Sequence, residues 1–226
     1  MFAHFVFLLI ENVFLTVLDH ALSCQGGGDR IHLHNTLRDT IAHEAKLAFG
    51  SHNVATEVGG EFSMGNHRPG DIRISNWKPS QDCLLDVTTV LPTQPKYLSA
   101  GASRAGAAAE GAFAAKEQKW ALFRDLSPEE FIPLAVELWG GWNPQSASVI
   151  QRIATLAAHN TASEVAPAVA RFRQRSLVII YKGVVHSCEA RIAPTLIDDD
   201  FSGGSLCLRP RNDGTRPQRC PLSERQ

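Results

Sequence analysis

The sequence predicts an α/β domain whose elements run α-β-β-β-α-β-α-α, and three observations carry that expectation. A helical apolar stripe follows Cys24, three short β-branched runs come next, and a further apolar run lies beyond an alanine-rich stretch. Strand, helix and strand in that order imply a right-handed crossover between two parallel strands of one sheet, with helices covering its faces.

Asp29 is a suitable N-cap, and Leu33, Leu37, Ile41, Ala45 and Ala48 then recur at helical spacing until Gly50 ends the helix. The runs VATEV (54–58), DIRIS (71–75) and LLDVTTVL (84–91) are short, β-branched and separated by Gly, Pro, Asn and Ser, which marks strands. The third is apolar on both faces, as a central strand is. The alanine-rich stretch from Ser103 to Phe123 reads as one helix, with Gly106 and Gly111 pointing to close packing against the sheet. FIPLAVELW (131–139) is the buried strand parallel to 84–91. Asn143 caps and Pro144 opens a third helix to about His159, and Ser163 opens a fourth that accommodates Pro167 near its start. After about Ile192 the chain turns to Asp, Gly, Pro and Arg with few apolar residues, as disordered tails do.

At 226 residues, 44% hydrophobic and 20% charged, the chain can bury one ordinary core without disulfides. Lys+Arg 22 against Asp+Glu 23 leaves a net charge of -1, so nucleic acid or an anionic membrane can be met only through a local patch. Five cysteines at irregular spacing argue against a secreted disulfide framework and for the nucleus or cytoplasm. The apolar residues 1–18 lack a basic leader, and Glu11 and Asn12 interrupt them, which disfavours a signal or a membrane span. No membrane partner is therefore expected.

Two carboxylates stand where core-facing strands ordinarily carry apolar side chains. If DIRIS and LLDVTTVL pair as a hairpin, Asp71 and Asp86 lie side by side. At about 4–5 Å such a pair repels by roughly 3–4 kcal/mol at an effective dielectric near 20. A divalent cation removes the objection, and hard oxygen donors suit Mg²⁺ or Mn²⁺. The plainer alternative is two rim aspartates, one capping a strand and one solvated. On the following helix Lys116 and Lys119 are one turn apart and share a face, so an ammonium can orient water and stabilise a phosphate as charge builds on it. A solvated lysine pair is the plainer alternative there.

In this order, a helix, a strand, RPGD as Pro-x-Asp, Asp86 in LLDVTTV and then KEQKW resemble the PD-(D/E)XK nucleases. The form most resembled is the restriction-like endonuclease domain of site-specific non-LTR retrotransposon proteins. The similarity runs from about Asp19 to Ala158, taking in GGGDRIHLHNTLRD and FIPLAVELWGGW, with RFRQR in a helical segment downstream. It implies a restriction-endonuclease-like αβββαβ core with additional C-terminal helices, DNA as the partner, and Mg²⁺- or Mn²⁺-dependent hydrolysis of a phosphodiester. It also divides the chain into an apolar segment with a zinc-knuckle remnant (1–24), the core (25–160), a helical extension (161–192) and the tail (193–226).

By that resemblance Asp71 and Asp86 are metal ligands, and Lys116, with Lys119 second, is the catalytic lysine carried on the helix. Thr88, not Lys, stands two residues after Asp86, so the usual D-x-K ending is missing. An acid on the N-terminal helix often completes such a site, and spacing prefers Asp39 over Glu44. His34 and Asn35 can instead point toward the site or serve the helix start and surface. Glu137 is either a base behind the metal ligands or a buried acid bonded to a turn. DHALSC resembles the second half of a zinc knuckle, with His20 and Cys24 as two of four ligands. No Cys pair precedes Asp19, so no zinc site is expected. Arg68, Arg73, Lys78, Lys96, Arg171, Arg173 and Arg175 are candidate phosphate contacts or ordinary solvated surface. An active nuclease and a degenerate fragment that keeps the fold and at most binds nucleic acid both remain open.

Overall fold

The computed structural model describes residue 22 and residues 28–57, 70–122 and 128–197, with side chains as far as 190. The described residues fall into two compact units, one within residues 33–181 and the other made of residues 22, 28–32 and 182–197. In the second unit Leu22 is buried and His186 Nε2 lies 3.5 Å from Asp29 Oδ1.

The other unit is mixed α/β, built on a four-stranded sheet. Helix α1 (Asp29–Phe49) buries Leu33, Leu37, Ile41, Ala45 and Ala48, the expected stripe. Gly50, at φ 88°, ends it in the left-handed region that glycine tolerates. After a 3₁₀ turn the chain enters β1 (Val54–Thr56), then β2 (Ile72–Lys78) and β3 (Gln81–Val90). Helices α2 (Leu98–Ser103) and α3 (Ala107–Ala121) lead to β4 (Glu130–Glu137), and α4 (Pro144–Asn160) and α5 (Val165–Ile197) follow.

The strand order is β1-β2-β3-β4, antiparallel from β1 to β3 and parallel between β3 and β4, as a crossover requires. β3 is paired on both edges, and its Leu84 and Leu85 are fully buried. Ala108, Ala109, Ala112 and Phe113 of α3 pack with Val90 of β3 and Ala135 of β4. Small side chains on α3 let the helix lie close to the sheet. Asn143 caps α4 as expected, its Oδ1 accepting the amides of Gln145 and Ser146 at 2.9 and 3.0 Å.

Several expected boundaries move. β1 stops at Thr56 because Glu57 takes a positive φ of 53°. β2 runs on to Lys78, and Leu138 and Trp139 lie in the turn after β4. The helix expected from Ser103 begins at Ala107, capped by Gly106 at φ 85°, and the short α2 before it ends at Ser103, where Arg104 turns extended. A Cβ at Gly106 would stand 2.9 Å from the Trp142 carbonyl oxygen, and one at Gly111 would meet the Tyr97 ring, not the sheet. α5 continues to Ile197, five residues beyond the expected end at Ile192. Among the described residues no helix is long and apolar enough to cross a membrane. Residues 1–18, His20, Cys24 and the tail beyond 197 lie outside the described residues.

Candidate active site

The hairpin brings the two aspartates to one end of its ladder. Ile72 pairs with Leu85, and Asp71 and Asp86 are the next residues outward on the two strands. The Asp71 amide donates to the Leu85 carbonyl at 2.8 Å, and its Oδ2 accepts the Val87 amide at 2.7 Å. That carboxylate thereby takes the place of a backbone acceptor where β2 begins. Its Oδ1 lies 3.2 Å from His34 Nε2, brought in by α1. Asp86 Oδ2 lies 2.7 Å from Lys116 Nζ of α3, and Thr88 Oγ1 is 3.4 Å from the same oxygen.

These side chains form a half-buried corner, Asp71 21% and Asp86 17% exposed, with His34 at 30% and Lys116 at 38%. Burial pushes the Asp86 carboxyl above its usual range, the Lys116 ammonium opposes that rise, and the charge of Asp71 adds to it. His34 is also raised, chiefly because its bond to Asp71 favours the imidazolium; burial works against this, and the charges of Asp71 and Asp86 support it.

Asp39 does not complete the corner. It is 61% exposed and paired with Arg38 at 2.8 Å, because it lies two residues beyond buried Leu37 and so faces away from the sheet. Glu44 lines a separate cavity of about 310 Å³ with Leu47, Ala157, Thr161, Arg171 and Arg175. Lys119 is exposed, one turn past Lys116, and Asn35 is half-buried. Glu137 is buried and its Oε1 accepts the Ala108 amide at 2.9 Å. It is thus the buried acid of the two alternatives, bonded to the start of α3. It pairs with Val90, four residues along the ladder from Asp86 and its partner Pro133, roughly 13 Å away at strand rise.

The scattered basic residues are mostly engaged. Arg73 pairs with Asp82 and Glu129, Lys78 with Glu130, and Lys96 stacks over Tyr97. Arg173 donates to Gln151, while Arg171 and Arg175 are exposed; Arg68 lies outside the described residues. The bond from Thr88 to Asp86 was not anticipated, although alternate strand residues share a face and the spacing pointed to it.

Among the described residues no three His, Cys, Asp or Glu side chains are grouped as a ready metal cage. In kind, however, two carboxylates beside an imidazole suit a small divalent cation. Lys116 meanwhile supplies positive charge to Asp86. No protein-family model matches the chain, and no curated protein matches it.

Proposed function

We propose that the chain is a metal-dependent DNA endonuclease domain of the restriction-endonuclease-like, PD-(D/E)XK type, derived from a non-LTR retrotransposon. The observation that carries this reading is the corner where Asp71, just before β2, stands opposite Asp86, midway along β3, and Lys116 reaches Asp86 at 2.7 Å. The order α1-β1-β2-β3-α2-α3-β4, with β3 and β4 parallel, supports it as the αβββαβ arrangement the resemblance implies, with the short α2 added.

Asp71 and Asp86 would hold Mg²⁺ or Mn²⁺, which when bound supplies Lewis acidity and a more acidic water. Lys116 would turn its ammonium to the scissile phosphate and stabilise the charge that grows on its oxygens as water attacks phosphorus and one P–O ester bond breaks. Thr88 has no charge to offer in that role, so the helix supplies it. Glu137 holds the start of α3, which carries the lysine.

The test is nicking of supercoiled DNA by the purified full chain with Mg²⁺ or Mn²⁺. Wild type is expected to nick, and Asp86→Ala to lose roughly a hundredfold or more of the rate. Absence of nicking, or equal nicking by the variant, overturns the reading. The closed Lys116–Asp86 pair and the missing D-x-K lysine favour a second reading, a retained fold that binds nucleic acid without cutting. Salt-sensitive, metal-independent binding that survives loss of both aspartates would support that one.

A further inference from the structure

We infer that the cavity between α1, α4 and α5 binds a guanine nucleotide, with the phosphate on Arg171 and Arg175 and the base on Glu44. The inference uses no residue of the Asp71–Asp86 corner and is independent of whether the chain cuts DNA. The cavity holds about 310 Å³, near the lower end of small-ligand sites, and its lining belongs to the unit of residues 33–181. Ala157, Ala158 and Phe172 give it an apolar floor, and Glu44, Arg171 and Arg175 give it charge.

The sequence builds these walls by helical spacing. On α5, Ala168, Arg171, Phe172 and Arg175 follow at i, i+3, i+4 and i+7 and so share one face. Arg173 is on another face and donates to Gln151 at 3.0 Å. Glu44 and Leu47, three residues apart, line the cavity from α1. Asn160 fixes the two walls to each other, since its Nδ2 donates to the carbonyls of Leu47 and Ala48 at 3.1 and 2.7 Å and ties the end of α4 to the end of α1.

Among the described residues Glu44, Arg171 and Arg175 have no hydrogen bond or ion pair. Two guanidiniums one helical turn apart repel each other, and the carboxylate that could neutralise them lines the same cavity without reaching either. A ligand that offers an anion to the arginines and donors to the carboxylate satisfies all three. Guanidiniums match phosphate oxygens in pairs, and a flat base suits the apolar floor. Of the common bases guanine alone has two adjacent donors, N1–H and N2–H, on its Watson–Crick edge, which the two oxygens of a carboxylate accept together. Adenine and cytosine carry a ring acceptor beside the amino group. Thymine and uracil flank their N–H with carbonyl oxygens, so each of these four sets an acceptor against Glu44.

The experiment titrates the full chain by calorimetry, with EDTA present, against 5′-GMP, 5′-AMP and guanosine. A short single strand carrying one guanine, and the same strand with adenine in its place, complete the series. GMP should bind about tenfold or more tighter than either AMP or guanosine. Arg171→Ala and Arg175→Ala should each weaken GMP about fivefold or more and leave guanosine within about twofold, which a misfolded variant would not do. Glu44→Gln, which exchanges one acceptor oxygen for donors, should erase the preference over AMP, and Arg173→Ala should change GMP binding by less than about twofold. A guanine-bearing strand bound much more tightly than GMP supports an unpaired nucleotide of a nucleic acid as the occupant; equal affinities support the free nucleotide. Equal binding of GMP and AMP by wild type, or a preference kept in Glu44→Gln, overturns the role of Glu44. GMP binding untouched by both arginine variants overturns the site, and no binding of any of these ligands at millimolar concentration by the folded chain overturns the whole inference.

Discussion

Lys116 of α3 meets Asp86 of β3 with 2.7 Å between Nζ and Oδ2, a contact that joins the crossover helix to the central strand. Lys119, one turn further on, is exposed. The two lysines are chemically identical and differ in what they reach. In DNA nicking, Lys116→Ala should lose roughly a hundredfold or more, while Lys119→Ala stays within about threefold. Because Lys116 is 38% exposed and its charge is screened, the same change should lower stability by no more than about 1 kcal/mol in urea unfolding. Equal losses of nicking at both positions would remove Lys116 from its assigned role.

Glu137 makes a second prediction about α3. The N-cap residue of that helix is Gly106, which has no side chain, so the carboxylate from the end of β4 takes the Ala108 amide in its stead. Gly141 leaves room for this, since a Cβ there would collide with the Glu137 carboxylate. Glu137→Ala should therefore destabilise the protein by about 2 kcal/mol and Glu137→Gln, which keeps an acceptor, by about half that. Chemical unfolding of the variants checks the order. A larger loss for Gln than for Ala would show that the carboxylate is not acting as a cap.

The strands and the acid pair were legible in the sequence because both depend on local pattern. β-Branched runs bounded by turn residues located β2 and β3, and a hairpin between them leaves little choice about where Asp71 and Asp86 meet. The third member of the corner was not legible from spacing alone. Asp39 matched the expected distance along the chain, but its rotation about α1 points it outward. His34, three residues before Leu37, lies beside the buried stripe and reaches Asp71. Glu44 lies three residues past buried Ile41, but it is ten residues beyond His34, about 15 Å along the helix axis. The start of the alanine-rich helix was not legible because the sequence does not separate a glycine that packs closely from one whose positive φ caps a helix, as Gly106 does for α3.

The β2–β3 turn carries the pH prediction. Asp82 accepts the Asn76 amide at 3.0 Å and is approached by Arg73 and Ser75 at 3.0 and 3.3 Å. Asn76 has φ 56° where the β2 register shifts, so this carboxylate secures an unfavourable backbone turn. These bonds, the Asn76 amide first, hold Asp82 below the usual carboxylate range. A folded value below the unfolded one means that the stabilisation is complete above the unfolded value near 3.9 and is lost as pH falls through the folded one. Asp82→Ala should lower stability by about 1 kcal/mol at pH 7, and urea unfolding should show the gap closing as the pH is taken below about 3.5. A gap that stays constant in acid would mean that the ionised carboxylate contributes nothing.

Ser146 tests how the sheet ends. β4 is the last strand of the sheet, so the edge that does not face β3 exposes backbone polar groups that need partners. Pro133 and Ala135 are two residues apart and present their backbone groups to that same edge, where the missing N–H of proline costs no sheet bond. Ser146, fully buried in the first turn of α4, donates to the Pro133 carbonyl and accepts the Ala135 amide, each at 3.0 Å. One hydroxyl thus satisfies two groups that the sheet leaves over and ties α4 to the strand beside Asp86. Ser146→Ala removes both bonds and leaves an amide and a carbonyl buried without them, so it should destabilise the protein by about 2–3 kcal/mol. Ser146→Cys keeps the volume but donates and accepts weakly, and should fall between wild type and alanine. Hydrogen exchange separates this account from simple loss of packing. The Ala135 amide should lose protection in Ser146→Ala by more than its neighbour Val136, whereas equal loss along β4 would indicate a general loosening of the strand.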